Sequence, residues 1–92
     1  MPVWRPAAIA DRKRITKHIA KDNVIAAIDL ADLLLAKALV LDEHPLLGPA
    51  GRIKGTRELV VHPNYIVFYR VVGTAVEVLR VKHAAQQWPE KG

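Results

Sequence analysis

The residues of this chain best suited to phosphate chemistry are Arg57, Arg80 and His83. Arginine offers a bidentate clamp for phosphate oxygens, and histidine can give or take a proton near neutral pH. Such a set would serve metal-independent cleavage of RNA. There a 2′-hydroxyl attacks its own phosphodiester, and the protein supplies a base, an acid and cations for the charge on the phosphorane oxygens. Arg52, Lys54, Arg70 and Lys82 are further candidates for holding an RNA strand, and Trp88 could stack on a base. The plainer account is that arginines in a small sheet are solvated, with their stems covering apolar surface, and that a tryptophan near a terminus packs the tail onto the domain. On the residues alone the plainer account has the better claim.

Other chemistries are pruned by what is missing. The sequence has no glycine-rich phosphate loop, no dinucleotide fingerprint and no nucleophile elbow. It has no cysteine, which removes disulfides, thiolate catalysis and cysteine-ligated zinc and fits a reducing compartment. His18, His44, His62 and His83 fall on different predicted elements, and no two stand at metal-ligand spacing, so neither a metal nor a cofactor is expected. Glu58 and Glu77 give no reason to read a paired-carboxylate acid and base. The formal net charge of +5 favours acidic partners, either nucleic acid or an acidic protein segment.

Ninety-two residues make one domain, spanning 1-92, with room for two packed layers and one core. Ile25 to Leu41 is nearly apolar but carries Asp29, Asp32 and Lys37, which excludes a membrane span. The first fifteen residues lack the apolar run of a signal peptide, so a cytoplasmic protein is expected.

The elements that must position the basic set follow from local signals. Val3-Trp4, between two prolines, predicts a brief edge strand, and Pro6 suits the first turn of a helix. Ala8, Ile9, Ile15 and Ile19 share one helical face, opposite Lys13, Arg14, Lys17 and Lys21. Lys21 to Asn23 breaks the pattern with capping residues. A second helix follows, on which Ile25, Ile28, Leu35 and Leu39, with Leu30, Leu34 and Leu41 beside them, are expected to form the spine of the core. The short link makes a helical hairpin over about 6-43. Pro45, Gly48, Pro49, Gly51 and Gly55 then mark a loop.

From Thr56 the period becomes two. Three runs rich in Val, Ile, Tyr and Phe, divided at Pro63-Asn64 and Gly73-Thr74, predict an antiparallel meander over about 56-83 with the third strand of the chain central, followed by a short C-terminal tail. The fold class is α+β, in the order β-α-α-β-β-β, with the hairpin packed on a small, mainly antiparallel sheet. Strict alternation would place Arg57 with Leu59 and Val61, Arg80 with Val76, Val78 and Lys82, and His83 with Glu77, Leu79 and Val81. Whether the basic groups converge depends on hairpin register.

The opening "VWRPAAIADRKRITKHIA", the "P.LG..G" loop, and the strands "GTREL", "NYIVFYRV" and "VEVLRVKH" together resemble the toxins of the RelE/ParE superfamily of type II toxin-antitoxin modules. The resemblance covers nearly the whole chain and is nearest to the RelE/StbE branch. It implies a toxin held inactive by a cognate antitoxin that wraps over the sheet and helices, with operator DNA reached only through that antitoxin. RelE-like members cleave mRNA on the ribosome, and ParE-like members poison DNA gyrase without being enzymes. The resemblance points first to ribosome-dependent mRNA cleavage, with Arg57 and Arg80 as transition-state cations and His83 as general acid or base. Gyrase inhibition and a degenerate partner that only binds antitoxin are the alternatives. The RelE pattern has two lysines one residue apart on the second strand, where this chain has Arg57 and Leu59. It also has an arginine after the tyrosine of the third strand, where this chain has Ile66 after Tyr65.

Overall fold

The computed structural model describes residues 1–86 and 88. The order is β1 (Val3–Trp4), α1 (Pro6–Ala20), α2 (Val24–Glu43), β2 (Arg57–His62), β3 (Tyr65–Val72) and β4 (Ala75–His83). Pro6 opens α1 after an extended Arg5, where its missing N–H costs nothing. Asn23 caps α2, its side-chain oxygen accepting from the Ala26 N–H at 3.0 Å. The α2 helix ends at Glu43, just before Pro45.

The sheet has the order β1-β4-β3-β2. The meander is antiparallel, and β1 runs parallel to β4, pairing Val3 with Glu77 and Trp4 with Val78. Between β3 and β4 a two-residue turn holds Gly73 at φ 60°, which suits the twist of a tight hairpin. The central β3 buries three consecutive residues, Val67, Phe68 and Tyr69, because both of its faces are covered. Val67 and Tyr69 join Val61, Val76, Val78 and Val81 beneath the helical hairpin, while Phe68 lies on the opposite face.

Two sequence expectations are corrected. On α2 the stripe that meets the sheet is Ala27, Leu30, Leu34, Ala38 and Leu41, whereas Ile25, Ile28, Leu35 and Leu39 are exposed. A helix apolar on so much of its circumference does not declare in its sequence which side is covered first. The second correction concerns β4. The register shifts between Phe68 and Tyr69, where Tyr69 faces Val78 but Phe68 faces Arg80, leaving Leu79 as an extra residue. A β-bulge of this kind reverses the alternation beyond it. Val81 therefore joins Val76 and Val78 in the core, Arg80 is paired with Phe68 of the other face, and His83 is paired with Tyr65.

Candidate functional site

The register decides whether the predicted site assembles. Arg57 stands opposite Tyr69 and His83 opposite Tyr65, four residues apart on β3. At the rise of an extended strand that is roughly 13 Å. Arg80 lies between these rows by position, but its guanidinium is turned to Asp11 of α1. The three residues are thus not gathered around one point.

Asp11 is the centre of the best-defined polar cluster. Its carboxylate is wholly buried, yet it accepts four hydrogen bonds: Arg80 Nε at 2.7 Å, Arg80 Nη2 at 2.9 Å, Arg14 Nη2 at 2.8 Å and the Val81 N–H at 3.0 Å. The pairing of β1 with β4 stops at Val78, and the Val81 N–H beyond it takes Asp11 as its acceptor. Burial by itself would raise the Asp11 carboxyl. The hydrogen bonds from Arg80, Val81 and Arg14 outweigh it and hold the group below the usual carboxylate value. The carboxylate thus stands between two guanidiniums, those of Arg14 and Arg80.

Two of the other candidate cations, Arg52 and Arg70, are also paired within the fold. Arg52 donates from Nε and Nη2 to both carboxylate oxygens of Glu58, each at 2.9 Å. This hydrogen bonding holds Glu58 low and Arg52 high, against the smaller effect of burial. The Arg52 guanidinium also lies 5.1 Å from the centre of the Phe68 ring, against which Trp88 packs edge-on at 4.5 Å. Trp88 thus helps bury Phe68. Arg70 pairs with Glu77 at 2.7 Å, Lys82 is buried, and Lys54 is exposed in the loop.

Arg57 donates to the Gly48 carbonyl at 2.8 Å, and the Gly48 N–H donates to the Tyr69 hydroxyl at 2.9 Å. That hydroxyl in turn donates to the Pro45 carbonyl at 2.7 Å. A Cβ on Gly48 would come within 2.8 Å of both the Glu58 carbonyl oxygen and Tyr69 Cε1, so the loop can pass here only as glycine. The "P.LG..G" signature thus anchors the loop on the sheet.

His83 meets different company from the one expected. The Tyr65 ring packs between it and His62, with centroids 5.3 Å from His83 and 5.7 Å from His62. A cavity of about 280 Å³ there is lined by Arg14, Ile15 and His18 of α1, by Tyr65 and His83 of the sheet, and by Gln86. Arg14 and His18 are not among the site residues that the sequence suggests. Their spacing of four on one helix, one turn on from Asp11, is the signal that could have raised them. Among the described residues, no group of three or more His, Asp or Glu could hold a metal ion, and no helix is long and apolar enough to cross a membrane.

Comparison with known proteins places this architecture. Residues 3–88 match the sequence profile of the ParE toxin of the parDE type II toxin-antitoxin system. The chain belongs to the ParE toxin family. Among relatives of this ParE-family toxin, Y4kP of Sinorhizobium fredii, whose name assigns it a toxin role only provisionally, is 40% identical over 95% of this chain and 91% of its own. Toxin RelE2 of Caulobacter vibrioides is 36% identical over 91% of this chain and 94% of its own. The fold matches a chain of the chromosomal ParDE system of Pseudomonas aeruginosa, with TM-score 0.77 and 20% identity over 90% of this chain and 95% of that one. It also matches a conserved hypothetical protein of Helicobacter pylori, with TM-score 0.58 and 18% identity over 91% of this chain and 93% of that one. The chain is the toxin of a type II module, and its partner is an antitoxin.

Proposed function

We propose that this ParE-family toxin arrests growth by holding its target rather than by cutting RNA, and that the target is DNA gyrase. The observation that carries this reading is the dispersal of Arg57, Arg80 and His83, with the Arg80 charge committed to buried Asp11. A nuclease built on those three needs all of them within hydrogen-bond reach of one phosphodiester, about 3 Å from each. Arg57 is instead turned to the Gly48 carbonyl and Arg80 to Asp11, so neither guanidinium is presented beside His83. The antitoxin of this reading is an acidic, amphipathic segment. Its apolar side suits the exposed Ile25, Ile28, Leu35 and Leu39 of α2, and its charge suits the neighbouring Lys13 and Lys17.

The test is a supercoiling assay run beside a translating extract. Purified toxin is expected to accumulate cleaved plasmid with gyrase and to leave mRNA intact. Unaffected gyrase would remove the reading. Ribosome-dependent mRNA cleavage is kept as a second reading by one observation, the cavity that sets His83 beside His18 and Arg14. Under that reading His83→Ala abolishes growth arrest with the fold retained; under gyrase inhibition the variant still arrests growth.

A further inference from the structure

We infer that the cavity between the C-terminal half of α1 and the ends of β3 and β4 is a binding site for a single-stranded nucleotide, with Arg14, His18 and His83 facing its phosphate and Tyr65 its base. Three observations converge on it. The stripe Asp11, Arg14, Ile15, His18 runs along one face of α1, and the Asp11 bonds to Arg80 and the Val81 N–H pin that stripe beside the end of β4. The anchor therefore fixes where Arg14 and His18 stand relative to His83.

The local charge is the second observation. The described residues that line the cavity bring to it one guanidinium, Arg14, and two imidazoles, and no carboxylate. Arg14 remains 58% exposed although one nitrogen binds Asp11, which leaves donors of its fork to reach an anion. His83 Nδ1 accepts from the Ala85 N–H at 3.1 Å, so a neutral ring carries its proton on Nε2, the atom that can donate to a phosphate oxygen.

The third is aromatic. His62, Tyr65 and His83 form a row of rings across β2, β3 and β4 at one end of the sheet. An acidic side chain would need only the cations; rings together with cations fit a base joined to a phosphate. The assignment does not depend on which cellular target the toxin holds.

The full chain, with its histidine imidazole protons followed by NMR, is titrated with a pentauridylate and separately with a pentathymidylate. The His18 and His83 resonances should move together and saturate, with weaker binding as salt rises. A preference for the ribose strand assigns the site to RNA and a preference for the deoxyribose strand to DNA; equal binding assigns the nucleotide chemistry the two share. His18→Gln, which leaves the Asp11 cluster untouched, should weaken binding about tenfold, and so should Arg14→Gln, a loss of the size one charged contact supports. Arg5→Gln removes the same charge at the far end of α1 and should change little. Imidazoles that stay still at millimolar oligonucleotide, or an equal loss with Arg5→Gln, would overturn the site. Hexaglutamate shifting both histidines as strongly as the oligonucleotides would overturn the nucleotide assignment in favour of an acidic peptide. These titrations are scored apart from the supercoiling assay, so either can fail without the other.

Discussion

Asp11 and Glu58 make nearly the same bonds and do different work. Each carboxylate receives Nε and Nη2 of one arginine, Arg80 in the first case and Arg52 in the second, and each also accepts a backbone N–H, from Val81 and from Arg52. The Asp11 pair joins residues 69 apart in sequence and is fully buried at the carboxylate. The Glu58 pair spans six residues and leaves the arginine side chain 39% exposed. The first ties a helix to the far strand of the meander, and the second only closes the loop before β2. Chemistry alone therefore does not rank two ion pairs; burial and the length of chain they close do.

The largest effect that would test the contrast is Asp11→Ala. It removes the acceptor shared by Arg80, Arg14 and the Val81 N–H at a seam where the carboxylate is wholly buried. A loss of about 3–5 kcal/mol is expected in urea unfolding, the range for breaking a buried pair by removing one partner. A loss below 1 kcal/mol would mean that water replaces the carboxylate freely and that the two clusters are alike after all. Arg80→Gln should cost less, about 1.5–3 kcal/mol, because Arg14 and Val81 still serve the carboxylate. If it instead cost as much as Asp11→Ala, Arg80 alone would hold the seam.

Acid sharpens the comparison further. The folded Asp11 carboxyl lies below its ordinary value of 3.8, so its contribution is fully present above about pH 4 and is lost as pH falls through the folded value. Stability of the wild type measured against pH should fall in that window. In Asp11→Asn the part of the fall due to this group should be missing, so the two curves converge on acidification. Curves that stay parallel below pH 4 would show that the carboxyl titrates as it does in the unfolded chain.

How much of this could be read from the sequence depended on the distance over which each signal acts. Pro6, Asn23 and Pro45 mark helix ends through their own backbone chemistry, and Pro63-Asn64 and Gly73-Thr74 mark turns in the same way, so the element order was legible. The extra residue at Leu79 leaves no such mark, because a bulge is a relation between two strands. That single residue moved Arg80 away from Val76 and Val78 and toward Phe68. Asp11 was illegible for a related reason: it looks like any polar residue of an amphipathic helix until β4 brings Arg80 and Val81 to it. At the candidate site His83 could be found from its place at the end of the last strand. Arg14, His18 and Tyr65 needed the packing of α1 on the sheet, which separate histidines on separate elements do not announce.

The smallest expected effect belongs to the Glu58 cluster, and it is the one that decides whether exposure is the controlling variable. Glu58→Gln keeps the size of the side chain and removes the charge that Arg52 faces. Because the arginine is more than a third exposed, solvent screens most of the attraction, and the expected loss is about 0–1 kcal/mol, shrinking as salt is raised. The substitution also weakens the hold on Arg52, whose guanidinium sits over Phe68 and donates to the Trp88 carbonyl at 3.4 Å, while the Trp88 ring packs on Phe68 as well. A loss near that of Asp11→Ala would show that Glu58 holds the whole cover over Phe68 in place by way of Arg52. The Phe68 face would then be stabilised by a charge as firmly as the α1 seam, and the difference between the two clusters would lie in what stands on the carboxylate rather than in how deeply it is buried.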